Sequence, residues 1–199
     1  MERAGGGARA RARQAMRAEV AAIVGDLVLE QGYERTTVDH ICAAAGISRS
    51  TFFRYFPSKE DALLGGVADS GETLRDALAA RPEDELPWVA VRRALQPLID
   101  RYAADDERVR RLTRLMMTTP ALLARHQEKN ARWYELLRPE VARRLGADVD
   151  DRADPGPQAL IGAALACVQA TLTVWSANPS SGSLSDILDR AMGVVGPVG

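Results

Sequence analysis

The sequence predicts an all-helical fold. No segment alternates apolar and polar residues long enough to make a strand. Apolar residues recur instead at three- and four-residue spacing along most of the chain. Glycine, proline and Ser/Thr caps punctuate these runs. About nine helices are expected, in a small N-terminal head and a larger C-terminal body. The expected divisions are a flexible basic arm over residues 1–10, a head over 11–57 and a body over 58–199.

The first helix is expected from about Arg11 to Gln31, with Val20, Ile23, Val24, Leu27 and Val28 as its stripe and Gly32 as its stop. The second starts at the cap Thr37 and ends at Gly46. The third starts at Ser48 and ends before Pro57. The fourth starts at Ser58, with Asp61 completing an approximate capping box, and runs to about Ala80. In the body, a fifth helix over Pro87–Ala104 is kinked or broken by Pro97. A sixth covers Asp105–Thr118. A seventh opens at Thr119-Pro120, runs to about Leu145 and is interrupted by Pro139. An eighth, Gln158–Ala177, is apolar almost all round and is expected to be buried on more than one side. A ninth starts at Ser183.

With 46% hydrophobic and 27% charged residues, the 199-residue chain has the composition of a globular protein with a real core. No run reads as a membrane span and the arginine-rich start lacks the apolar core of a signal peptide, so a cytoplasmic setting is expected. Cys42 and Cys167 sit in apolar helical patterns, as reduced core residues would. Net charge is −1, but residues 1–60 carry a net +2 and the remainder −3. The basic end suits a phosphate backbone or, equally, a solvated tail.

The most informative stretch is TTVDHICAAAGISRSTFFRYFPSKEDALL, residues 36–64. Two short helices meet at a tight turn, Ala45-Gly46-Ile47-Ser48, where Gly46 can take the left-handed conformation. Val38, Ile41, Cys42 and Ala45 form the inner face of one helix; Ile47, Phe52 and Phe56 meet them from the other. That is a helix-turn-helix arrangement, in which the second helix enters the major groove of DNA. The face left over offers Arg49, Ser50, Thr51, Phe53, Arg54 and Tyr55. Arg can bond guanine at two points and aromatic edges can meet a thymine methyl. Lys59 and Thr37 lie at helix starts, where free N–H groups attract phosphate. An ordinary helical hairpin would not explain an exposed Phe53 beside Arg and Tyr.

These residues resemble the TetR family of regulators: Thr36-Thr37, Ala45-Gly46-Ile47-Ser48, then Thr51-Phe52-Phe53-Arg54-Tyr55-Phe56-Pro57-Ser58-Lys59-Glu60-Asp61-Ala62-Leu63. One departure is Phe53, where many relatives carry Tyr; the hydroxyl–phosphate bond is lost there. The resemblance implies an all-helical homodimer whose heads bind a palindromic operator and whose bodies bind a small ligand that releases DNA. The body, through Thr119-Pro120-Ala121-Leu122, Arg143-Arg144-Leu145-Gly146 and Trp175, resembles the C-terminal domain of mycofactocin-regulator-type members. Some of those respond to acyl-coenzyme A.

The expected function is therefore a repressor released by an apolar or amphipathic ligand. The alternative is a DNA-binding regulator signalled by a protein partner or by thiol oxidation. No nucleophile–base pair and no metal-ligand cluster can be assembled around His40 and His126, so neither an enzyme nor a metal site nor any cofactor is expected. Arg114, Met117, His126, Trp133, Gln169 and Thr173 are candidate ligand contacts, because isolated polar groups in an apolar interior are what a pocket needs. Each also fits plain core packing. Ile161, Ala164, Val168, Leu184, Leu188 and Ala191 are the candidate dimer interface, two helices from each chain making a four-helix bundle.

Overall fold

The structure is a computed structural model and describes residues 3–65, 70–103 and 107–197. The chain divides into two compact units, Met1–Asp69 and Ser70–Gly199. The division falls after the residues of the expected fourth helix begin, not at 57/58.

The first unit holds α1 (Arg3–Gln31), α2 (Val38–Ala45), α3 (Arg49–Tyr55) and α4 (Lys59–Leu63). α1 starts well before Arg11. Ala and Arg are strong helix formers, and glycine weakens a helix by about 1 kcal/mol without stopping it, so residues 3–10 continue α1. Residues 1 and 2 of the expected arm lie outside the described residues. Val20, Val24 and Val28 of α1 are buried with Ile41, Phe52, Phe56 and Ala62 of the other helices. Gly32 ends α1 with φ 89°. Thr37, Ser48 and Ser58 each cap the following helix, accepting from the N–H of His40, Thr51 and Asp61. The helix expected over Ser58–Ala80 is described as α4 and a second helix, α5 (Ser70–Ala79), residues 66–69 between them lying outside the description.

The second unit holds α5 (Ser70–Ala79), α6 (Pro87–Ala94), α7 (Gln96–Ala103), α8 (Glu107–Thr118), α9 (Pro120–Leu145), α10 (Gly156–Ala177) and α11 (Leu184–Val195). The break between α6 and α7 falls at Leu95, two residues before Pro97, as proline requires. Pro139 does not interrupt α9, which runs unbroken for 26 residues. The ring is exposed, and Trp133, Leu137, Val141 and Ala142 bury the helix on both sides of it, which holds the segment helical despite the missing N–H.

Buried arginines stitch this unit. Arg144 donates to the carbonyls of Leu78, Arg81 and Pro82 at 3.0, 2.7 and 2.8 Å, satisfying groups that the end of α5 leaves open, and pairs with Glu140. Arg92 bonds Asp189, Gln96 and Ser185, joining α6 and α7 to α11. Arg138 holds the loop after α9 through the carbonyls of Val149 and Asp151.

Contrary to expectation, α10 is long and apolar enough to cross a membrane, and among the described residues it alone passes that test. Half of its apolar window is buried within this unit. Ile161, Ala164, Leu165, Val168 and Leu172 face the core, so α10 fits the role of a core helix. One side remains open: Ala159, Ala166, Ala170, Thr173 and Val174 are exposed.

Candidate nucleic-acid interface

α3 is short because its sequence offers few helical residues between Ser48 and Pro57, and its two faces separate sharply. Phe52 and Phe56 are fully buried, four apart, their rings 5.5 Å between centroids. Gly46, at φ 63° and ψ 30°, ends α2 and turns the chain into α3. With the core facing inward, Arg49, Ser50, Phe53 and Arg54 are exposed, Phe53 by 48%, while Thr51 and Tyr55 are half-buried. Phe53 stands edge-on to Phe52 at 5.4 Å. An aromatic ring held out of the core on a helix of seven residues is thus a structural fact of this head.

The polar groups around that face are already ordered. Arg49 Nη1 donates to Asp39 Oδ1 at 2.5 Å, and its guanidinium lies 5.7 Å from the Phe53 ring. Ser48 Oγ donates to Thr51 Oγ1 at 3.0 Å. Thr37 stands exposed at the start of α2, with its oxygen on the His40 N–H. Ser50 and Arg54 are exposed, and Arg54 lies 5.3 Å from the Tyr55 ring.

Lys59, half-buried, already has partners within this unit. Its Nζ donates to the carbonyls of Tyr33 and Thr36 at 3.0 and 3.1 Å and lies 4.0 Å from the Tyr33 ring. Tyr33 donates in turn to Glu60. Burial, then this bond, raises the Tyr33 phenol above its ordinary value. Burial works against the Glu60 charge, but the bonds from Tyr33, from its own N–H and from Ser58, with the Lys59 charge, bring its carboxyl below the usual value.

Sequence reasoning treated the arginines of α1 only as a basic end. Arg17 instead donates to the Tyr55 carbonyl at 2.8 Å with its guanidinium 5.0 Å from the Phe56 ring, and Arg13 lies 5.9 Å from the Tyr55 ring. Their four-residue spacing on one helical face was the available signal. The acid Asp39 was also missed.

In the second unit, Leu74, Leu78, Val91, Ala94, Leu95, Leu137, Ile161, Ala164 and Leu165, all buried, line a wholly apolar gap of about 10 Å³, room for one water-sized group. None of the six expected ligand contacts lines it. Trp133 and His126 are buried, Met117 and Gln169 half-buried, and Arg114 and Thr173 exposed. Burial within one helix face cannot be told from periodicity when nearly every position is apolar. Five of the six expected dimer residues are corrected as well, Ala191 being only half-buried. Ile161, Ala164, Val168, Leu184 and Leu188 are buried inside their own chain, and the Ala191 carbonyl accepts from Cys167 Sγ. α10 and α11 pack on each other and consume those stripes. Burial raises the Cys167 thiol. The Cys42 thiol is raised by burial and then by Asp39, against a smaller opposing effect of Arg49.

A capped helix-turn-helix with a polar and aromatic outer face, followed by a helical body, defines the class of a DNA-binding regulator. Residues 26–64 match the model of bacterial regulatory proteins of the tetR family, and residues 85–198 match the MftR C-terminal domain. The chain belongs to the TetR family of transcriptional regulators, with a C-terminal domain of the MftR type. It is similar to the regulator TcmR of Streptomyces glaucescens, 34% identical over 136 residues, covering 65% of this chain and 60% of that one. MftR of Mycobacterium tuberculosis, named as a mycofactocin biosynthesis transcriptional regulator, is 30% identical over 86% of this chain and 84% of its own. Both relatives are named as transcriptional regulators. The fold is shared with FadR of Thermus thermophilus (TM-score 0.58, 20% identity, 90% and 92% of the two chains) and with SmeT of Stenotrophomonas maltophilia (0.60, 19%, 89% and 87%).

Proposed function

We propose that this regulator is a repressor that reads a palindromic operator with α3 and releases it when an apolar or amphipathic ligand enters the second unit. The observation that carries the DNA half is the exposed row Arg49, Ser50, Phe53 and Arg54, held out by the buried pair Phe52 and Phe56. Arg49 is the residue to read guanine, Phe53 to meet a thymine methyl, and Thr37, Thr51, Tyr55 and Lys59 to position the backbone. Base reading separates this from plain electrostatic attraction. Arg49→Ala costs about 1–3 kcal/mol at one base step, and salt weakens binding overall. Equal loss on selected and random duplexes would remove Arg49 from that role.

The ligand half requires the apolar gap in the second unit to widen, since its lining offers only hydrocarbon but it is too small as packed for a drug-sized occupant. Structures of the same fold carry lauroyl-CoA in the Thermus FadR, stearoyl-CoA in the Bacillus subtilis FadR and triclosan in SmeT. Each combines an apolar body with a polar end. Titration of the protein–DNA complex with acyl-coenzyme A and with triclosan tests this. An active ligand lowers DNA affinity by about 5–150-fold, and DNA lowers its affinity by the same factor.

The working unit is a two-fold homodimer. Its interface is formed by the open side of α10, at Ala166, Ala170 and Val174, with Val194 and Val195 of α11. Small residues permit close helix approach, and both valines are exposed. The reading by thiol oxidation is disfavoured, because both cysteines are buried with raised thiols and neither is poised as a thiolate.

A further inference from the structure

We infer that Asp39 is a specificity-determining residue for DNA, acting through Arg49. The inference rests on the reading role proposed for Arg49 and goes beyond it. Arg49 opens α3 and is largely exposed, so its long side chain would be free to sample many orientations. Two neighbours restrict it. Asp39, ten residues earlier in the first turn of α2, accepts from Nη1 at 2.5 Å. Phe53, one turn further along α3, presents its ring 5.7 Å from the guanidinium carbon. One nitrogen of the group is therefore engaged by a carboxylate, and an aromatic ring lies beside its carbon.

Guanine presents two acceptors, O6 and N7, in the major groove, and a guanidinium meets both only when its plane is aligned with the base. Nη1 is engaged with Asp39. The edge made by Nε and Nη2 carries two parallel N–H groups, the geometry that suits this pair of acceptors. Asp39 thus selects which edge faces the base and restricts the rotation of the plane. A carboxylate beside the DNA-facing surface also has a cost, because it repels phosphate at every sequence alike. Asp39 lowers affinity for all DNA and raises the preference for guanine. An exposed acid with no reading role would do only the first.

The test uses the whole chain and a duplex selected by the wild-type protein from a random pool. Binding of wild type, Asp39→Asn, Asp39→Ala, Arg49→Ala and the double variant Asp39→Ala/Arg49→Ala is measured on that duplex, on each of its single base-pair replacements and on random DNA. Both Asp39 variants are expected to reduce the preference at the Arg49 base step by about five- to tenfold, with binding to random DNA unchanged or tighter. The double variant is expected to lose no more preference than Arg49→Ala alone. Unfolding is expected to match wild type in all variants, so a structural defect would be seen separately. Full preference retained by both Asp39 variants would overturn the inference, as would losses that simply add in the double variant. If Arg49→Ala leaves every base preference intact, the reading role of Arg49 fails first and the inference falls with it.

Discussion

Lys59 holds the carbonyl of Tyr33 at 3.0 Å while its ammonium lies over the same residue's ring. One side chain of α4 thereby ties down the turn that precedes α2. This predicts a double effect for Lys59→Ala. Phosphate contact alone would reduce DNA affinity uniformly and lower the salt slope by about one. Loss of two carbonyl bonds and the ring contact should also destabilise the first unit by about 1 kcal/mol, modest because the site is partly exposed. Urea unfolding checks this. Unchanged stability with weakened DNA binding would leave Lys59 a phosphate contact only.

The dimer prediction separates two surfaces. Leu188 is fully buried, so Leu188→Asp places a charge in the core of the chain itself and should abolish folding. Val174 is 46% exposed on the open side of α10. Val174→Asp should leave a folded chain that sediments as a monomer and binds the selected duplex more weakly. A Val174→Asp protein that still sediments as a dimer with full affinity would put the interface elsewhere.

Much of the fold was legible in the sequence because its signals are local. Thr37, Ser48, Ser58 and Ser183 each cap the helix expected to follow, and Gly46 turns where the chain needs a left-handed residue. Phe53 outside and Phe52 inside also followed from spacing on one short helix. What was not legible depends on the partners of a face. α10 is apolar around most of its girth, so nothing in its own sequence says that Ile161 and Val168 meet the core while Ala166 and Ala170 do not. Pro139 stands inside a continuous helix because distant residues pack on both sides of it. The pairing of Asp39 with Arg49 spans a turn, and neither residue looks unusual alone.

Gly71 predicts a tight packing requirement between α5 and α9. A Cβ placed there would lie 2.7 Å from the indole of Trp133, a separation real methyl groups do not reach. Trp133 is buried and cannot simply swing away. Gly71→Ala gains helix propensity, worth about 1 kcal/mol at most. Overpacking costs about 1–3 kcal/mol, so the net change should be destabilising. Denaturation followed by tryptophan fluorescence gives the sign. A stabilised variant would show that the α5–α9 contact yields easily.

His126 leads to a prediction about acid. It is buried on α9, and among the described residues its Nδ1 has no partner; nor does the buried Oδ1 of Asn130, one turn later. Burial, and then the nearby Lys129 charge, lower its basicity below the ordinary histidine value. In the unfolded chain the same imidazole titrates near pH 6.5. Below that pH the unfolded state takes up a proton that the folded state declines, and stability falls as acid is added. The loss begins as pH drops through about 6.5 and continues until the folded group itself protonates. Above pH 7 the contribution is constant. His126→Leu removes both the titrating group and an unsatisfied buried atom. It should flatten the acid limb of a stability–pH curve between pH 7.5 and 5, with little change or a gain at the upper end. Urea midpoints for both proteins across this range make the comparison. Parallel curves would mean that His126 does not drive the acid sensitivity and is partnered in solution.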